Sequence, residues 1–112
     1  MITQEIFNTV YLGLAAQDFR QSYDDDTDQC AYRGPNNLKC AIGHLIPDDK
    51  YHPEMDGSIW LARNFHAARM LTELSRDEFS LLQNAHDYAN TPADMRERFE
   101  SIAKTYNLKV PA

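Results

Sequence analysis

Helical periodicity opens the chain. Ile6, Phe7, Val10, Tyr11, Leu14 and Ala15 recur at three- and four-residue spacing and Phe19 continues the stripe, which predicts an amphipathic helix over 3–22. Thr3 offers a capping hydroxyl at its start. Gly13 costs about 1 kcal/mol inside a helix, so its presence points to close packing by a neighbour. Asp24, Asp25, Asp26 and Asp28 repel one another and form helix poorly, which ends the element near Ser22. A period of two then takes over. Cys30-Ala31-Tyr32-Arg33 and Leu38-Lys39-Cys40-Ala41-Ile42 flank the turn-forming run Gly34-Pro35-Asn36-Asn37, predicting an antiparallel β-hairpin over 29–43. Two registers are open. A turn centred on Pro35 sets Cys30 opposite Cys40 on one face; a turn centred between Pro35 and Asn36 sets Ala31 against Cys40 and Cys30 against Ala41.

Gly43 permits a bend or a close backbone approach. Leu45-Ile46 is a short apolar segment stopped by Pro47, and 47–57 reads as an ordered polar loop. Helical patterns then return three times. The first, 58–74, starts at Ser58 and carries Ile59, Phe65, Ala68, Leu71 and Leu74, with Trp60 adding bulk to the core or to a site wall. The second, 76–89, is opened by a Ser75/Glu78 capping box and places Phe79, Leu82 and Ala85 on one face. The third, 92–107, starts at Thr91-Pro92 and has the cleanest stripe: Met95, Phe99, Ile102, Ala103 and Tyr106. Asp94 and Glu97 lie early in it and Lys104 late, as the helix dipole favours, and Asn107 can end it. The predicted fold class is α+β in one domain, 1–112: an N-terminal helix, a short antiparallel β-hairpin, an ordered loop and three C-terminal helices.

Composition adds little to that outline, but charge adds something. The 112 residues are 43% hydrophobic and 25% charged, ordinary for a globular chain. A domain of this size buries about two-thirds of its unfolded surface and needs no metal or disulfide to fold. No apolar run approaches the ~18 residues of a membrane span, and no basic, apolar leader follows Met1. The expected location is the cytoplasm, where Cys30 and Cys40 stay reduced, and no membrane partner is expected. The net charge of −6 sits wholly in the first half: residues 1–57 hold ten acids and four bases, and 58–112 hold seven of each. Such a surface disfavours nucleic acid and suits a basic partner or a cation.

Candidate chemistry concentrates in 30–57, which holds both cysteines and two of the four histidines. Cys30, Cys40, His44 and His52 are of the types that bind zinc, but no tight Cys-x2-Cys knuckle is present. Cys40 is a conceivable nucleophile if His44 or His86 activates it and Asp48 or Asp87 orients the histidine. His86 and Asp87 are adjacent and diverge by ~100° on a helix, so they are not expected to form a relay on their own. Asp48, Asp49, Glu54 and Asp56 do not match a calcium loop and are read as turn-capping acids. Tyr32, Arg33, Lys39, His44, Tyr51 and Trp60 can line a ligand pocket, because aromatic faces stack rings and an arginine fork grips anions. No cofactor, metal ligand or catalytic residue is assigned.

The run from Cys30 to Gly57 resembles a family of small uncharacterised proteins from phages, prophages and bacteria. The likeness is carried by Cys30, Tyr32-Arg33-Gly34, Lys39-Cys40-Ala41, Gly43, Leu45-Ile46-Pro47-Asp48, Tyr51 and Asp56-Gly57, with Gln4-Glu5-Ile6-Phe7 and Leu82-Gln83…His86-Asp87 outside it. It implies a phage-related or mobile-element origin and the cytoplasm of a host cell, and it implies no reaction. The expectation is a non-enzymatic accessory protein that binds a host protein or a small charged ligand through 30–57. Its alternatives are a small zinc protein using Cys30, Cys40 and His44, and a cysteine-dependent enzyme with Cys40 as nucleophile.

Overall fold

The computed structural model describes residues 1–26, 29–49, 51 and 69–111, and the fold is helix-dominant. Helix α1 spans Gln4–Ala16 and buries Ile6, Phe7, Val10, Tyr11 and Leu14, the predicted stripe. The Thr3 hydroxyl accepts from the Ile6 amide at 3.2 Å and starts the helix as expected. It ends six residues before the predicted limit. Asp18 and Phe19 adopt left-handed φ values of 57° and 54°, and the Phe19 amide donates back to the Leu14 carbonyl at 2.8 Å. The Phe19 ring explains why the stripe misled: it still packs edge-to-face on Tyr11, with centroids 5.3 Å apart, after the chain has reversed.

The hairpin predicted over 29–43 is not there. Strands β1 (Tyr23–Asp24) and β2 (Gln29–Cys30) form a two-residue antiparallel ladder pairing Tyr23 with Cys30 and Asp24 with Gln29. Pro35–Asn37 forms a 3-10 turn, with Asn36 and Asn37 at φ near +60°, and Ile42–Leu45 forms a second. Two physical facts override the alternation. Successive left-handed asparagines curl the backbone out of any ladder. In addition, Ala41, Ile42 and Leu45 are all buried, so the second expected strand has no solvent face. Neither predicted register applies: Cys30 ends β2 and pairs with Tyr23, and Cys40 lies in the irregular stretch before the 42–45 turn.

Helix α2 covers Arg69–Thr72, the end of the predicted 58–74 helix; the rest of that segment, with its Ser58 cap and Trp60, lies outside the described residues. Helix α3 (Arg76–Asp87) begins at the Ser75/Glu78 capping box, and α4 (Pro92–Thr105) at the Thr91 cap with Pro92 in the first turn. Asn107 takes a left-handed φ of 55° just past α4, as its sequence position predicts. Phe7, Phe79, Phe99, Leu14, Ile42, Leu45, Leu71, Leu74 and Leu82 fill the core. The 42–45 turn sits between α1 and α3, and the Gln83 side chain of α3 accepts from the Ile42 amide at 3.2 Å. No helix among the described residues is long and apolar enough to cross a membrane.

Candidate functional site

A buried 3-10 turn has few ladder partners, so side chains must satisfy its carbonyls. Arg33 does this for the 42–45 turn. Its Nη1 donates to the Gly43 carbonyl and its Nη2 to the Ile46 carbonyl, both at 2.8 Å. Nη2 also donates to Asp48 Oδ1 at 3.0 Å, and the guanidinium stacks over the Tyr51 ring at 5.0 Å. The Lys39 ammonium reaches the same Asp48 oxygen at 3.3 Å. Two cations therefore converge on one carboxylate whose own side chain is 83% exposed. Hydrogen bonding from Lys39, with the charges of Lys39 and Arg33, holds the Asp48 carboxyl below its ordinary value. These groups edge an open cleft of about 410 Å³, lined also by Gly34, Asn37 and Leu38.

Of the residues predicted to line a pocket, Arg33 and Lys39 line this cleft, and Tyr51 reaches it only through its contact with the Arg33 guanidinium. Tyr32 does not: it is 3% exposed and belongs to the core. Its backbone matters instead, because a Cβ on Gly43 would lie 2.3 Å from the Tyr32 carbonyl oxygen, the close approach that Gly43 predicts. His44 faces away, against α1. Its Nε2 lies 3.0 Å from Gln17 Oε1, an oxygen that also accepts from the Lys39 amide, so the ring proton sits on Nε2. Burial, then the charges of Lys39, Arg33 and His86, lower its pKa to about 4. Trp60 lies outside the described residues. Asp48 and Gln17 complete the site and were not predicted as pocket residues; Asp48 was read as a turn-capping acid, or as an acid orienting a histidine, and Gln17 carried no sequence signal.

The His44 ring also explains Gly13. A Cβ there would stand 2.4 Å from Nδ1 and 2.6 Å from Cγ of that ring. Gly13→Ala is expected to displace the imidazole from Gln17 and to cost about 1–2 kcal/mol, because the gain in helix propensity offsets only part of a clash that reaches Cγ of a hydrogen-bonded ring. Titration of the His44 ring by NMR should then give a pKa closer to 6.5. A pKa still near 4, with no loss on thermal unfolding, would contradict the packing.

A second polar group lies at the end of α3. His86 is fully buried. The Ser22 amide donates to its Nε2 at 3.0 Å, so the ring proton is on Nδ1, which donates to Asp87 Oδ1 at 2.8 Å. The ~100° divergence expected of these neighbours does not keep them apart, because α3 terminates at Asp87; Nε2 is occupied by the Ser22 amide, so the pair points no free nitrogen at a nucleophile. Cys30 Sγ, a ring nitrogen of His86 and an Asp87 oxygen lie within 4.8 Å of one another, a spacing that a metal could use. The hydrogen bonds oppose it. Nδ1 is engaged with Asp87 and Nε2 with the Ser22 amide, so an ion would have to break one of these bonds to reach the ring. These atoms, not those of Cys30, Cys40 and His44, converge among the described residues; His52 lies outside them. Burial, then the charge and hydrogen bonding of Asp87, push the Cys30 thiol up to about 12, so it stays protonated at neutral pH. Cys40 is a wholly buried thiol, and its sulfur accepts from the Gly43 amide at 3.3 Å.

Comparison with family models, with curated proteins and with solved structures gives no match for this chain.

Proposed function

We propose that the protein is a non-enzymatic binding protein, an accessory protein of phage or mobile-element type, that engages an acidic group of a host protein or small ligand through the face built by Arg33, Lys39, Asp48 and Tyr51. The observation that carries this reading is the convergence of two cations on one exposed carboxylate at the rim of an open cleft. A site that holds a carboxylate of its own chain has the charge and donor geometry to hold an anionic group from elsewhere. The guanidinium is fixed by two backbone carbonyls and an aromatic face, so little ordering remains to be done on binding. The state of the thiols supports binding over thiol catalysis: one is held protonated and the other is out of reach.

The test is an amide chemical-shift titration of the full chain with small anions at low salt. Shifts confined to 33–51 and abolished in Lys39→Met are expected. Cys40→Ala should bind as the parent does, provided its spectrum shows the same fold. Shifts scattered over the surface, or unaffected by Lys39→Met, would refute the reading.

A further inference from the structure

Asp48 occupies the centre of the cation pair, yet nothing buries it. Its carboxylate is 83% exposed, and it is held by Lys39 and Arg33 on an otherwise solvated loop. Arg33 differs in this respect: it keeps two backbone partners and the Tyr51 ring whether or not Asp48 stays. The cradle is therefore preformed and its present occupant can leave.

We infer that Asp48 is a built-in pseudo-ligand and that the group which displaces it is a phosphomonoester dianion. This rests on the anion-binding reading above and deepens it. The tethered carboxylate competes at an effective concentration in the millimolar range, fixed by the short chain between Arg33 and Asp48. A free monocarboxylate makes the same contacts as Asp48 and gains nothing by exchange. A phosphomonoester carries nearly two charges at neutral pH and three acceptor oxygens, enough to face Arg33 and Lys39 together. An exposed ion pair of this kind is weak, so a stronger anion can replace it. The net charge of −6 opposes any anion at long range and a dianion most, so the selection of phosphate is made by its contacts to Arg33 and Lys39.

The experiment titrates wild type, Asp48→Asn and Lys39→Met with methyl phosphate and with acetate, followed by amide shifts. Each variant is first checked for an unchanged fold by the dispersion of its spectrum. Wild type should saturate with methyl phosphate at about 1–10 mM and show no saturation with acetate there. Asp48→Asn should bind methyl phosphate about fivefold to tenfold more tightly and should admit acetate, because the competitor has gone. Lys39→Met should bind neither. If Asp48→Asn leaves phosphate affinity unchanged or weaker while Lys39→Met abolishes it, Asp48 is not a pseudo-ligand, although the anion site stands. If acetate matches methyl phosphate in wild type, the dianion preference is wrong. If neither anion binds to any of the three proteins, both the inference and the anion-binding reading fail. A phosphoserine tetrapeptide and ribose 5-phosphate, run beside methyl phosphate, show by which is tighter whether the phosphate is presented by a protein or by a small molecule.

Discussion

Replacing Gly43 with alanine is expected to destabilise the protein by about 3 kcal/mol and to lower its melting temperature by roughly 10–15 °C. A Cβ at this position would lie 2.3 Å from the Tyr32 carbonyl oxygen and 3.1 Å from the Tyr32 Cα. Both are main-chain atoms, so no rotamer change can relieve the contact, in contrast to Gly13, where the obstacle is a side chain. Gly43 is fully inside, between α1 and α3, and its carbonyl accepts from Arg33 and from the Ile46 amide. Moving residues 32 and 43 apart thus breaks the packing of the turn and the anchoring of Arg33 at once. Differential scanning calorimetry of Gly43→Ala beside Gly13→Ala tests the contrast. Equal, small losses in both would show that the 32–43 contact can relax and is not a constraint on the fold.

Acidification is expected to unfold the protein in two stages, carried by different residues. His44 has its pKa lowered to about 4 in the folded chain, from an ordinary 6.5. As pH falls below 6.5 the unfolded chain takes up a proton that the folded one refuses until about pH 4. This contribution is whole above 6.5 and lost between 6.5 and 4. Allowing for its partial exposure, it is worth about 1–2 kcal/mol. Glu78 supplies the second stage. Burial alone would raise its pKa, but hydrogen bonds from the Ser75 amide, the N-terminal ammonium and the Ile2 amide outweigh that and bring it to about 2. The Ser75 and Ile2 amides each donate at 3.0 Å, and the ammonium of Met1 lies 3.1 Å away. Its folded value lies below the ordinary 4.5, so this contribution is complete above pH 4.5 and disappears as pH falls to 2. A displacement of that size corresponds to about 3 kcal/mol. Urea midpoints measured from pH 7 to pH 2 should fall across both windows. Glu78→Gln should start lower at pH 7 by about 2–3 kcal/mol and lose the slope below 4.5, while His44→Gln should flatten only the limb between 6.5 and 4. A wild-type midpoint constant from pH 7 to pH 4 would rule out the buried neutral imidazole.

Much of the helical frame was determined by the sequence alone. The stripes that begin at Ile6 and Met95, the caps at Thr3, Ser75 and Thr91, and the stop at Asn107 are local events. Each depends on residues within a turn or two, where spacing and hydrogen-bonding chemistry suffice to place a helix end. The close-packed glycines were also legible, because Gly13 and Gly43 occupy positions where another residue would be the easier choice.

What only the tertiary structure decided lies between Ala16 and Ile46. The helical stripe there ran on to Phe19 and alternating residues over 29–43 read as strands, yet left-handed turns at Asp18-Phe19 and Asn36-Asn37 and burial of Ala41, Ile42 and Leu45 made turns of both. Residues distant in sequence then set the chemistry. Ser22 chooses the tautomer of His86, Gln17 accepts the hydrogen bond of His44 Nε2, and Asp48 closes on Arg33 and Lys39. Local pattern cannot show such pairings, because a hydrogen bond between distant residues depends on how the chain is folded back, and no periodicity records that.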